Sequence, residues 1–354
     1  MFFFNLLASY GGVTRLSDIF VGSTATPFIN AYTWTDATGF GSKYSNPGTL
    51  PGTTGTGNAI NAAGDTFAQA STGSPFVQVY PWTSGTGFGT KYANPTTLPG
   101  SAGDSVAFNP AGTDIAIGTE SSPYIHAYRW SSGFGTKYAN PSTLTTSFGR
   151  SVKFNPTGTD VALSGSGTPQ IIIYPWVSGT GFGTKYTNPT TLPTQSARGS
   201  NWNPAGDAFA SVTFGATPGV LAYPWTSGTG FGTKYTNPST LPALSTYALA
   251  FNPTGTVLAI LGISTPFVQV YAFDSTTGFG TKFTNPGTLP PTTGASSIGN
   301  LISFNGAGTV LAMTSSTTPF INAYVWSDST GFGSKYSNPA TLPTGAGAGV
   351  TFNN

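Results

Sequence analysis

Charge is what this chain lacks most. Lys and Arg (12) with Asp and Glu (10) make up only 6% of its 354 residues, where an ordinary soluble domain carries roughly 25%. That scarcity argues against an enzyme built on helices with salt-bridged outer faces. The formal net charge of +2 excludes the strongly basic surface that holds nucleic acid by counterion release. Cysteine is absent, so there is no disulfide framework, thiolate catalysis or Cys-ligated metal. The one histidine, His126, rules out most zinc sites and any mechanism needing a histidine pair. No metal and no cofactor is expected. No run approaches the roughly 20 consecutive apolar residues of a membrane span. The opening MFFFNLLASYGG is apolar without a basic flank, and predicts no cleaved secretory signal.

What is abundant is turn chemistry and aromatic mass. Gly (48) and Pro (28) together are about a fifth of the chain, and aromatics reach 14%. Disordered chains are poor in aromatics, so this one folds, as strands joined by tight turns. Internal repetition then decides the architecture. The segment GFGTKYTNPSTLP from Gly230 recurs with small changes from Gly39, Gly87, Gly133, Gly181, Gly278 and Gly331. Its lysines are Lys43, Lys91, Lys137, Lys185, Lys234, Lys282 and Lys335, spaced by 48, 46, 48, 49, 48 and 53 residues.

Each unit reads as three or four short strands. A first strand with alternating apolar positions ends at Asn, as in SVAFNPAGT from Ser105 and SVKFNPTGT from Ser151, and the Pro-x-Gly after it reverses the chain. A second strand leads to Thr-Pro or Ser-Pro. The third carries Tyr32, Tyr80, Tyr128, Tyr174, Tyr223, Tyr271 or Tyr324, with Trp two residues on except at Phe273. GFGTKY supplies the fourth. Four-stranded units of 40 to 50 residues are propeller blades, and the expected fold is all-β: a closed seven-bladed β-propeller of four-stranded antiparallel blades over residues 16–354. The chain ends in GVTFNN, a first strand, and opens from Leu16 with a second. The N- and C-terminal strands are therefore expected to share one blade, which removes any exposed sheet edge. Residues 1–15 form an extension outside the repeat, too apolar to be left in water and expected to be a contact patch.

The run VxFNPxGTxLA followed by a strand ending in Tyr-x-Trp resembles the WD-repeat consensus, although no Asp follows the Trp and no Gly-His pair opens a blade. With GFGTKYANP and TLP recurring, it is most similar to a divergent WD-like propeller family found in tailed-phage virion proteins. The resemblance implies a non-enzymatic structural or adhesion protein: a capsid decoration, head-fibre or tail component. Its implied partners are other capsid or tail proteins and a host-surface glycan, with no nucleic acid and no membrane span. Its implied place is the virion, assembled in the host cytoplasm and released by lysis. A stand-alone glycan-binding, lectin-like propeller is the alternative. A polysaccharide lyase or glycosidase would need two carboxylates about 5 to 10 Å apart, for which Asp104 and Glu120 are the candidates.

Positions that break the repeat carry more information than those that keep it. Five residues before the Asn of each first strand stand Thr56, Asp104, Arg150, Arg198, Tyr247, Asn300 and Ala348. By resemblance to WD-like propellers these ring the mouth of the axial channel, with Glu120 on the same face. Asp104, Glu120, Arg150, Arg198, Tyr247 and Asn300 are the candidate binding residues, against the alternative of an ion-pair network that only fills the mouth. The sevenfold lysine reads as repeat structure ahead of a cationic ring, and Asp65, Asp114, Asp160 and Asp207 read as surface turns. His126 occupies a third-strand position held elsewhere by Asn, Gln, Ile or Leu, and is expected to be packed and hydrogen-bonded.

Overall fold

Apolar residues on both faces of a strand require cover on both sides, and here that cover is the next blade. A computed structural model of the chain describes residues 17–243, 245–293 and 300–353; the extension 1–15, with its expected contact role, lies outside them. The described chain forms seven four-stranded antiparallel sheets. In the third blade the order is Gly103–Phe108, Asp114–Thr119, Ile125–Trp130 and Phe134–Lys137. The first strands of neighbouring blades touch one another in an unbroken circuit, including Gly347–Asn353 against both Ile302–Phe304 and Gly55–Ile60. The propeller is closed.

Closure uses both ends of the chain. Gly347–Asn353 pairs antiparallel with Ser17–Ser23, setting Phe352 opposite Ile19 and Val350 opposite Val21. Ile29–Thr35 and Gly39–Lys43 complete that first blade. The fourth strands are shorter than GFGTKY predicts, down to Gly87–Phe88 in the second blade. An outermost strand with alternate glycines has few side chains to hold it in a ladder.

The core lies between blades rather than within them. One cluster joins Ala116, Ile125 and Ala127 of the third blade to Val161, Leu163, Ile172 and Trp176 of the fourth. The repeated third-strand tyrosines are fully buried, and four reach back to the preceding blade. Tyr80, Tyr128, Tyr174 and Tyr223 donate to the carbonyls of Thr49, Thr97, Thr143 and Thr191 at 3.0, 2.8, 2.5 and 2.6 Å. The Tyr of the third strand and the Thr-Leu of the crossover are thus two halves of one contact.

The scarce carboxylates pin the blades together. Asp18, Asp114 and Asp160 each accept a bond from the tyrosine that ends their own blade, Tyr44, Tyr138 and Tyr186, at 2.7, 2.5 and 2.7 Å. Each also accepts the indole N–H of the next blade, from Trp82, Trp176 and Trp225, at 2.9, 3.2 and 3.2 Å. Asp36, Asp207 and Asp328 make polar contacts across three further boundaries, to Asn305, Ser275 and Asn252. The reading of Asp114 and Asp160 as surface turns is corrected: both are wholly buried, because they sit one position later than exposed Asp65 and Asp207 and so face the neighbouring blade. Between the second and third blades the turn after Trp130 is two residues short. There a cavity of about 500 Å³ opens among Asp65, Trp82, Tyr92, Trp130 and Ser132.

Removing residues 347–354 should open the ring. Burial of Val350 and Phe352 alone contributes about 3 to 6 kcal/mol, so the truncated chain should lose its cooperative thermal transition or melt many degrees lower by calorimetry. An unchanged melting temperature would refute closure by the shared blade.

Candidate functional site

The variable position five residues before each Asn has a structural meaning that spacing alone does not show. In the first strands the ladder register slips around it: between Gly103 and Ser105, Gly149 and Ser151, Ala197 and Gly199, and Thr246 and Ala248. Asp104, Arg150, Arg198 and Tyr247 are therefore bulge residues, and a bulge re-aims a side chain that regular pleating would bury between strands. Gly103 and Gly149 precede two of these bulges, and a Cβ on either would overlap the carbonyl oxygen of Phe76 or Tyr124 in the blade before. Only glycine lets the neighbouring backbone come that close.

Three of the candidates meet in one cluster. Arg150 Nη1 donates to Asp104 Oδ2 and to Glu120 Oε1, both at 2.9 Å. Asp104 and Glu120 belong to the third blade and Arg150 to the fourth, so the cluster spans a boundary. Phe148 lies under the guanidinium, 4.5 Å from its ring centre to Arg150 Cζ. The Asp104 side chain is fully covered while that of Glu120 is 37% exposed. Burial pushes the Asp104 carboxyl up to about 7, with Arg150 opposing and Glu120 adding to the rise. Desolvation wins because a charged carboxylate closed off from water keeps only what its partners return.

Arg198 and Tyr247 form a second group. Phe214 and Tyr247 stack with ring centres 5.5 Å apart and planes 5° from parallel. The Arg198 guanidinium carbon lies 4.9 Å from the Phe214 centre and 6.0 Å from that of Tyr247. Burial, and then the positive charge of Arg150, hold Arg198 below the usual arginine range. The two arginines are thus electrostatic neighbours, one bonded to carboxylates and one resting on aromatic faces. Asn300 belongs elsewhere. Its side-chain oxygen accepts from Lys153 Nζ at 2.8 Å, and its amide donates to the Asn58 carbonyl at 2.9 Å. It lines the axial channel rather than the cluster.

Lys153 itself was not singled out by the sequence reading. The available signal was a lysine in SVKFNP where the other six first strands carry Ala59, Ala107, Asn201, Ala250, Ser303 and Thr351. Phe148 and Phe214 were missed because each lies outside its strand's repeat pattern.

The sevenfold lysine proves structural. Lys43, Lys91, Lys137, Lys185, Lys234, Lys282 and Lys335 each donate to the Asn three residues on, at 2.5 to 2.7 Å. His126 is packed as expected, but the expected hydrogen bond is absent: both ring nitrogens are buried without a partner, and the residue across the ladder is the apolar Ile117. Among the described residues no group of three His, Asp or Glu side chains could hold a metal.

No family model and no curated protein matches the sequence. Solved structures do match its shape. A protein from Bacteroides fragilis, described as a candidate 6-phosphogluconolactonase, is 14% identical and superposes with a TM-score of 0.74 over 97% of this chain and 99% of its own. The periplasmic gluconolactonase of Pseudomonas aeruginosa is 14% identical, with a TM-score of 0.70 over 96% and 99%. A protein of unknown function from Desulfotomaculum acetoxidans is 13% identical, with a TM-score of 0.70 over 96% and 99%. At these identities the likeness is one of fold. The propeller part of the family expectation holds, while nothing in these comparisons indicates a phage virion or WD-repeat family or a lectin; the expectation of a non-enzymatic virion structural or adhesion role is corrected, because the whole-chain neighbours carry lactonase names. The Lys, Tyr and Thr-Leu repeats behind that expectation are contacts that hold this ring together.

Burial, and then the charge of Lys137, lower the His126 pKa to about 4. The unfolded chain therefore binds the extra proton between about pH 6.5 and 4, and stability is lost as pH falls through that window. The loss amounts to roughly 3 kcal/mol. His126→Gln, the residue found at Gln78 and Gln269, should melt at a temperature that falls less between pH 7 and pH 4. Equal acid sensitivity in both proteins would show that His126 does not titrate there.

Proposed function

We propose that this propeller is a hydrolase of small sugar lactones and that its reaction centre is the cluster of Asp104, Glu120, Arg150 and Arg198. One observation carries the reading: a guanidinium bridges a buried carboxylate and a partly exposed one across a blade boundary, in a fold shared over its whole length with proteins named for lactone chemistry. Glu120 Oε1 takes the Arg150 bond, and Oε2 is assigned as the atom that removes a proton from water. The resulting hydroxide adds to the lactone carbonyl carbon, and the negative charge on its oxygen develops beside the arginines. The bond from that carbon to the ring oxygen then breaks, Glu120 returns its proton to the ring oxygen to make a hydroxyl, and the hydroxy acid formed ionises to a carboxylate by releasing its remaining acidic proton to solvent. Asp104, closed off from substrate, is a positioning residue that fixes Arg150. Arg198, braced on Phe214 and Tyr247, is assigned to an anionic group of the substrate.

The test is acid release from gluconolactone and 6-phosphogluconolactone, followed by pH-stat above the spontaneous rate. The wild type should accelerate one of them. Glu120→Gln should lower kcat by about 100- to 10,000-fold, and Arg198→Ala should raise KM. Asp104→Asn should shift the pH profile of kcat/KM, which a purely structural role would leave in place. No acceleration by the wild type, or a rate indifferent to Glu120→Gln, overturns the reading.

A further inference from the structure

Among the described residues, the axial channel holds a positive charge with no carboxylate lining the space beside it. Lys153 projects from the first strand of the fourth blade, Gly149–Phe154, where the six equivalent residues are small or neutral. Its bond to Asn300, itself fixed to the Asn58 carbonyl, forms a strut between two compartments of about 200 Å³ each. One compartment is bordered by Asn58, Ala59, Ile60, Val106 and Phe108. Lys153, Asn300 and Thr351 border both compartments, and the other adds Asn201 and Ser303. Neither is lined by a carboxylate or by any titratable side chain other than Lys153.

An ammonium has three N–H donors, and the bond to Asn300 uses one. Lys153 is only partly exposed, its one bonded partner is a neutral amide, and each compartment has several times the roughly 30 Å³ that a water occupies, so a small anion fits beside the ammonium. Asn201 and Thr351 both line this compartment; the Asn201 side-chain oxygen accepts from the Trp202 main-chain N–H, so the polar group Asn201 still has to offer is its amide NH2.

We propose that this compartment binds a small oxyanion, an inorganic tetrahedral anion or the carboxylate of a small acid, on Lys153 Nζ with Asn201 and Thr351 as further donors. The site is separate from the mouth cluster and does not depend on the lactonase reading. Burial also brings the amine down to about 8, so binding has a defined pH signature: the ammonium that holds the anion is lost as pH rises.

Calorimetric titration with sodium sulfate and with sodium gluconate, at constant ionic strength, distinguishes the two anion sources. Both probes keep the same charge at pH 7 and pH 9.5. At pH 7 one of them should bind saturably at millimolar concentration or below, and at pH 9.5 its affinity should fall by roughly 30-fold. Lys153→Ala, the residue found at Ala59, Ala107 and Ala250, should fold and lose the binding; Lys153→Arg should retain it at pH 9.5. Binding that survives Lys153→Ala, or no saturable heat from either anion in the wild type, overturns the proposal, whatever the lactone assay shows.

Discussion

Each blade is stable only because a neighbour covers both of its faces. A four-stranded sheet whose second and third strands are apolar on both sides cannot exist alone in water, and seven of them satisfy the requirement by closing a ring. The other regularities follow from it. Tyr174 reaches back to the Thr143 carbonyl, and Asp114 collects Tyr138 from its own blade and Trp176 from the next. These polar bonds set the angle between sheets whose greasy faces alone would slide. In a chain with ten acidic residues, six serve in this way, at Asp18, Asp36, Asp114, Asp160, Asp207 and Asp328. That leaves very few for anything else.

The mouth cluster is built from what remains. Asp104 and Glu120 face Arg150 across a blade boundary, and the bulges at Asp104, Arg150 and Arg198 re-aim side chains that would otherwise stack against a neighbouring strand. The rigid ring thus holds a few charges in fixed geometry while spending none of its repeat structure on them. This arrangement suits electrostatic stabilisation of a developing oxyanion, where donors must be oriented before the reaction begins.

The repeat's prominence misdirected the functional reading. GFGTKY and the Thr-Leu crossover look like the mark of a biological family, yet each of their residues has a structural employer. The lysine bonds its own Asn three residues later, Tyr138 bonds Asp114, and Gly39, Gly87 and Gly181 adopt a positive φ. A motif whose residues all serve blade packing reports the fold and carries little about activity. The same reasoning explains why the informative residues, Asp104 and Lys153 among them, appear where copies disagree.

The seven units, the four strands in each, the turn positions and the blade shared between the two ends were all written in the order of residues, because alternation and turn chemistry act over short distances and repetition magnifies them sevenfold. The variable positions were legible too, Asp104, Arg150, Arg198 and Tyr247 among them, as was Glu120. What only the tertiary structure decided is which of these meet. Asp104 and Glu120 lie 46 and 30 residues from Arg150, and the blade rotation that brings them together has no local signal. Asn300 and Lys153 are 147 residues apart, and they touch because the ring turns opposite first strands toward one narrow axis. Burial of Asp114 rather than Asp65 turned on a single step along a strand, which reverses the face a side chain occupies. Sequence patterns specify what each strand needs on either side; only closure of the ring determines which residue supplies it.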